Sequence, residues 1–179
     1  MTLDFIIRTA INPAMAMLPA DMDTPQARVQ LLAIGLQESR FVDRRQLVGS
    51  PPQPTGPAKS FWQAEQGGGM VHGVRRHAAT SRIAAELCKA RNVSPNDRAV
   101  WNAIENDDVL AAALARLLLW TDPQRLPKLG DAEGAWQLYL RTWRPGAYER
   151  GIATERATLR NKWTRNYALA LEAMAGVAA

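Results

Sequence analysis

Four prolines and two glycines fall between Gly49 and Lys59. Proline lacks an amide hydrogen and clashes with the carbonyl four residues before it, so Pro51-Pro52-Gln53-Pro54-Thr55-Gly56-Pro57 cannot be helix and is a poor strand. The stretch is a loop or long turn, and its neighbours are arranged around it. Before it, residues 24 to about 40 carry a helical pattern ending in Gly35-Leu36-Gln37-Glu38-Ser39-Arg40-Phe41. After it come Ser60-Phe61-Trp62-Gln63 and Gly67-Gly68-Gly69.

The helix before the loop has a sharp start, with Asp23 or Thr24 as cap and Pro25 at the first helical position. Val29, Leu32, Ala33 and Leu36 mark an apolar face at spacings of three and four. Residues 2 to about 18 read as an earlier apolar helix, interrupted at Asn12-Pro13. Beyond the glycines the periodicity predicts helices at about 71–91, 95–105, 107–121, 131–143 and 154–174, with Leu110, Leu114, Leu117 and Leu118 on the central core helix. The only candidate sheet is a small hairpin using Leu47-Val48 and Phe61-Trp62. No repeat or linker divides the 179 residues, so the expectation is one mainly α domain over 1–179 with a minor β element.

Composition excludes several classes. With 47% hydrophobic and 22% charged residues the chain can build an ordinary core. Its net charge of +5 favours an anionic partner, which leaves nucleic acid, a phospholipid face and an anionic wall polymer all open. The single cysteine, Cys88, rules out an internal disulfide and a thiolate cluster, and reads as a buried helical thiol. Val109 to Trp120 is too short to span a membrane and contains Arg116. Asp4 and Arg8 flank a short apolar run, which does not read as a secretory signal. On that reading the protein is made in the cytoplasm and needs another route to any target outside it.

Glu38 is the candidate for acid–base chemistry. A carboxyl at a helix C-terminus, near Phe41 and with Trp62 across the loop, has desolvation and the helix dipole available to raise its pKa. Such a group can protonate a glycosidic oxygen near neutral pH. The plainer alternative is a solvated glutamate paired with Arg40 or Arg45. At a solvent-accessible helix end, Glu38→Gln is expected to change stability by only tenths of a kcal/mol.

Gln37-Glu38-Ser39 with Phe41, then a loop and Ser60-Phe61-Trp62-Gln63, resembles the lytic transglycosylases and goose-type lysozymes of the lysozyme-like superfamily. In that family a helix ends in Glu-Ser and is followed by a loop and a Gly-Leu-Met-Gln type segment. The resemblance implies a lysozyme-like fold, with Glu38 as the single catalytic acid/base. It places Ser39, Gln63 and Trp62 against substrate. Further on, Ala135-Trp136-Gln137-Leu138-Tyr139 matches the late tyrosine motif at Tyr139. Ser60 stands where the family has glycine, and no asparagine follows Tyr139. The implied substrate is peptidoglycan, cleaved between N-acetylmuramic acid and N-acetylglucosamine without a cofactor. A bacteriophage lysis protein or virion-associated protein, acting on the periplasmic wall or carried in the particle, fits the resemblance together with the basic charge.

Hydrolases of glycosides generally use two carboxylates. Asp43 and Glu65 are the only nearby acids, and Asp43, followed by Arg44-Arg45, reads as a surface ion pair. One convincing acid favours the transglycosylase route over hydrolysis. His72 and His77 lie five apart, the wrong spacing for two ligands on one helical face, so no metal is expected. Trp136, Trp143, Trp163 and Tyr167 fall at helical spacings and read as core, with one or two able to line a saccharide cleft. Arg75, Arg76 and Arg82 could meet phosphates, though such runs are usually solvated faces. Two other readings stay open: a virion structural component that keeps the fold without activity, and a basic nucleic-acid-binding helical protein.

Overall fold

In the computed structural model, which describes residues 1–178, the chain is mainly helical. The N-terminal segment runs through α1 (Leu3–Ile6), a π-turn at Ile7–Ile11 and α2 (Asn12–Ala16). The widened turn lies just ahead of Pro13, where a proline ring would press on the carbonyl four residues back. A 3-10 turn, Ala20–Met22, leads to α3 (Pro25–Glu38). Thr24 caps α3 by accepting the Ala27 amide at 3.2 Å, and Pro25 takes the first turn.

The C-terminal part contains α4 (Ser81–Ala90), α5 (Asp97–Ala103), α6 (Asp108–Trp120), α7 (Ala132–Trp143), α8 (Gly146–Arg150) and α9 (Ala153–Ala178). Asn96, Asp107 and Asp131 cap α5, α6 and α7 through their side-chain oxygens. The helix expected at about 95–105 begins only after its Asn96 cap, so Pro95 lies outside it. The helix expected at 71–91 starts only at Ser81. Gly69–Gly73 forms a second π-turn, and Thr80 closes the turns before α4 by donating to the Val74 carbonyl at 2.7 Å.

α3 and α6 form the centre. α6 is buried from Leu110 to Leu119, as its leucine stripe predicts. α3 is enclosed almost all round: Leu31 and Ile34 are as fully buried as Leu32 and Ala33. α9 packs along α3, and α6 lies against the N-terminal π-turn, α2, α4 and Gly69–Gly73. Cys88 is buried in this core.

The expected hairpin does not form. Val48 pairs with Gln53, Lys59 with both Arg45 and Ala64, and Phe61-Trp62 sits in a turn. The prolines break the ladder after single bridges, so residues 43–64 are held by scattered backbone pairs, such as Gln46 with Ala58 and Gly56, together with side-chain anchors. Lys59 is buried at 4% exposure, with Nζ 2.8 Å from Glu105 and 3.0 Å from Asn102, over the Trp101 ring at 3.6 Å. Trp101 donates in turn to the Pro57 carbonyl at 2.8 Å. Among the described residues no helix is long and apolar enough to cross a membrane.

Candidate active site

Glu38 is the last residue of α3 and opens onto a cleft of about 1060 Å³. The cleft lies between the 58–73 segment and the end of α7 with α8; Gln63, the three glycines, Tyr139 and Trp143 are among its walls. Tyr139 Oη donates to Glu38 Oε1 at 2.6 Å, joining residues 101 apart in the chain. Tyr139 is 3% exposed and stacks on Trp163, with ring centroids 4.9 Å apart and planes at 18°. Its hydroxyl is thereby aimed at the carboxylate and not at solvent.

Burial of the carboxyl raises the Glu38 pKa from 4.5 to about 7, against the lowering effects of the Tyr139 hydrogen bond and the Lys162 charge. The residue is half-buried, with access to the cleft. Tyr139 is pushed well above its usual range by burial and by the neighbouring carboxylate, so it stays a donor. Lys162, on α9, donates to the Gln37 carbonyl at the open end of α3. Burial lowers the Lys162 pKa, while Glu38 acts in the opposite sense. A carboxyl that is half protonated near pH 7 can give a proton and take one back.

The other expected site residues divide. Gln63 lines the cleft, its amide donating to the Ser60 carbonyl at 2.9 Å and the Asp43 carbonyl at 3.3 Å. Ser39 supports the site from behind: its hydroxyl donates to the Phe61 carbonyl at 2.8 Å and accepts the Phe41 amide at 3.1 Å. Trp62 does not line the cleft. It has no exposure, donates to the Leu31 carbonyl at 3.0 Å, and packs edge-on to Phe41 at 5.9 Å. The core gives its ring an aromatic neighbour and its indole N–H a backbone acceptor, so both ends of the side chain are satisfied there. Trp143 takes the cleft position, its indole donating to the Trp62 carbonyl at 3.0 Å. Trp136, Trp163 and Tyr167 are core, as their spacing predicts.

Asp43 makes no ion pair among the described residues, because Arg44 turns to Asp108 at 2.6 Å and Arg45 lies 3.9 Å from Glu105. Glu65 is exposed on the cleft wall. A further cleft acid, Asp122, is held by Arg141 at 2.9 Å. His72 lines the cleft and bonds to Asp97 at 2.7 Å, whereas the His77 ring accepts the Ala79 amide at 3.2 Å. Arg75 is also engaged by Asp97, and Arg82 by Glu86.

Backbone strain gathers here. Arg40, Phe41, Ser60, Gln63 and Arg144 have φ of 57°, 55°, 66°, 50° and 47°, in the left-handed region that costs most side chains. Ser60 is the residue that stands where the resembling family has glycine, and its backbone has a conformation that favours glycine.

Sequence reading missed Lys162 and Asn166. Asn166 Nδ2 donates to Gln37 Oε1 at 2.9 Å, and Gln37 Nε2 donates to the Leu159 carbonyl at 3.3 Å. The available signal was polar Lys162 and Asn166 falling at helical spacing among Leu159, Trp163 and Tyr167. Comparison of the chain with family models, curated proteins and solved structures finds no match.

Proposed function

We propose that the protein is a peptidoglycan-cleaving enzyme of the lytic transglycosylase type, with Glu38 as the acid/base. The observation that carries this is the Glu38 carboxyl itself: bonded to Tyr139 at 2.6 Å, opening onto a cleft of about 1060 Å³, and with its pKa raised to about 7 by burial. Two details support the resemblance to lysozyme-like enzymes. The Tyr139 named by the late motif meets Glu38, and Ser60 takes a glycine-type conformation at the family's glycine position. In this mechanism Glu38 gives its proton to the glycosidic oxygen as the C1–O bond breaks, and the sugar's own acetamido oxygen closes on C1. The Glu38 carboxylate then takes the proton of the C6 hydroxyl, O6 displaces the acetamido oxygen from C1, and a 1,6-anhydro end results. Glu38 finishes protonated and no water is consumed. Tyr139 and Lys162 steady the carboxylate formed midway, which a buried site would otherwise disfavour. A lysozyme-like fold and a phage lysis or virion-associated origin belong to the same proposal.

Glu38→Gln keeps the shape and removes the proton. Loss of one acid–base group typically costs about 10²–10⁴-fold, so the variant should fail to clear a suspension of purified peptidoglycan. Mass spectrometry of wild-type digests should show ends lighter by one water than hydrolysed ends. Reducing ends alone would replace the lyase route with hydrolysis and bring Glu65 forward as the second carboxylate. A Glu38→Gln protein as active as wild type would end the assignment. Inactivity of both proteins, with normal folding, would favour a virion structural role.

A further inference from the structure

A second hollow, of about 500 Å³, lies between α8 and the start of α9. It is continuous with the Glu38 cleft: Gly146, Ala147, Arg150 and Leu159 line both. Gly146, Ala147 and Gly151 are among its lining and present almost no side chain to it. The Arg150 guanidinium lies close over Gly146, where a Cβ would fall 2.6 Å from Nη2 and displace this exposed, flexible side chain. The Arg150 guanidinium therefore lies across the ridge where the two hollows meet.

The charges on this ridge are unspent. Of the three arginines that line the cleft, Arg141 is held by Asp122. Arg144 and Arg150 are exposed and make no ion pair or side-chain hydrogen bond among the described residues. Arg144 also has φ of 47°, directly before Pro145, at the turn between α7 and α8. The one acid in the branch hollow, Glu155, already accepts the Ile152 amide at 2.9 Å. A polymer in the main cleft could thus send a side branch over Arg150, and a guanidinium favours carboxylates there through paired, charge-assisted hydrogen bonds.

We infer that the hollow between α8 and α9 receives an acidic peptide branch of the glycan strand, with Arg150 meeting its carboxylates. This rests on the glycosidase reading of the cleft. It makes the preferred substrate a peptide-bearing strand instead of a bare polysaccharide.

The test is calorimetric binding to the Glu38→Gln protein, which should hold glycan without cleaving it. Two probes are compared: a short peptidoglycan oligomer carrying its acidic peptides, and the same oligomer with the peptides removed by an amidase. The peptide-bearing probe should bind about tenfold more tightly, the size of one charge-assisted contact. Adding Arg150→Gln should bring the ratio close to one. Adding Arg82→Gln, on exposed α4, should leave it unchanged. Equal binding of the two probes would overturn the inference while sparing the glycosidase reading. A preference that survives Arg150→Gln would overturn the placement of the branch. Binding of neither probe would overturn both readings together.

Discussion

Glu38 stands apart from the other carboxyls because its charge is costly where it sits. Its folded value of about 7 lies above the ordinary 4.5. Between those two values the folded chain holds a proton that the unfolded chain releases, so the group's contribution to stability is largest below 4.5 and falls as pH rises through about 7. The difference corresponds to about 3 kcal/mol. Glutamine cannot titrate. Denaturant unfolding should therefore show Glu38→Gln gaining on wild type as pH rises from 5 to 8, by up to about 3 kcal/mol. This corrects the expectation for a solvated helix end, where replacement changes little. A pH-independent difference would show that the carboxyl is solvated after all. For the proposed reaction the same titration predicts an alkaline limb near pH 7 in a pH–rate profile, since the proposed proton donor is lost above it.

The position of Glu38 depends on how α3 ends. Ser39 and the left-handed pair Arg40-Phe41 turn the chain back, and the Phe41 ring lies on Gly35, one turn up the helix. A Cβ at Gly35 would come 2.1 Å from Phe41 Cζ. Phe41 cannot give way easily, because Phe61 and Trp62 meet it edge-on at 5.5 and 5.9 Å. Gly35→Ala should cost more than the usual overpacking of about 1–3 kcal/mol or sit at its upper end, although alanine is the better helix former. Thermal unfolding measures this directly. A variant as stable as wild type would mean that the aromatic cluster is not what terminates the helix. The loop depends on a similar anchor: with only isolated bridges, residues 43–64 rely on buried Lys59 between Glu105, Asn102 and Trp101.

Across the molecule, the site exists because α9 returns to lie along α3. That packing brings Lys162 and Asn166 to Gln37 and stacks Trp163 on Tyr139. Asn166→Leu would leave the Gln37 carbonyl oxygen buried without its donor, at a cost of about 1–3 kcal/mol. Urea denaturation should register that loss, and one below about 0.5 kcal/mol would mean that water replaces the amide. The sequence by itself determined the start of α3 at Asp23 or Thr24, the buried stripe of α6 and the loop at 49–59, because each is a local consequence of side-chain chemistry or period, and with the family resemblance it singled out Glu38 as the candidate acid. It could not distinguish a solvated Glu38 from a buried one, Trp62 in the core from Trp62 in the cleft, or a hairpin from isolated bridges. Those were decided by contacts between residues as much as 129 positions apart, such as Gln37 with Asn166. Desolvation depends on what packs around a group, and periodicity shows which face is apolar but not which element will cover it.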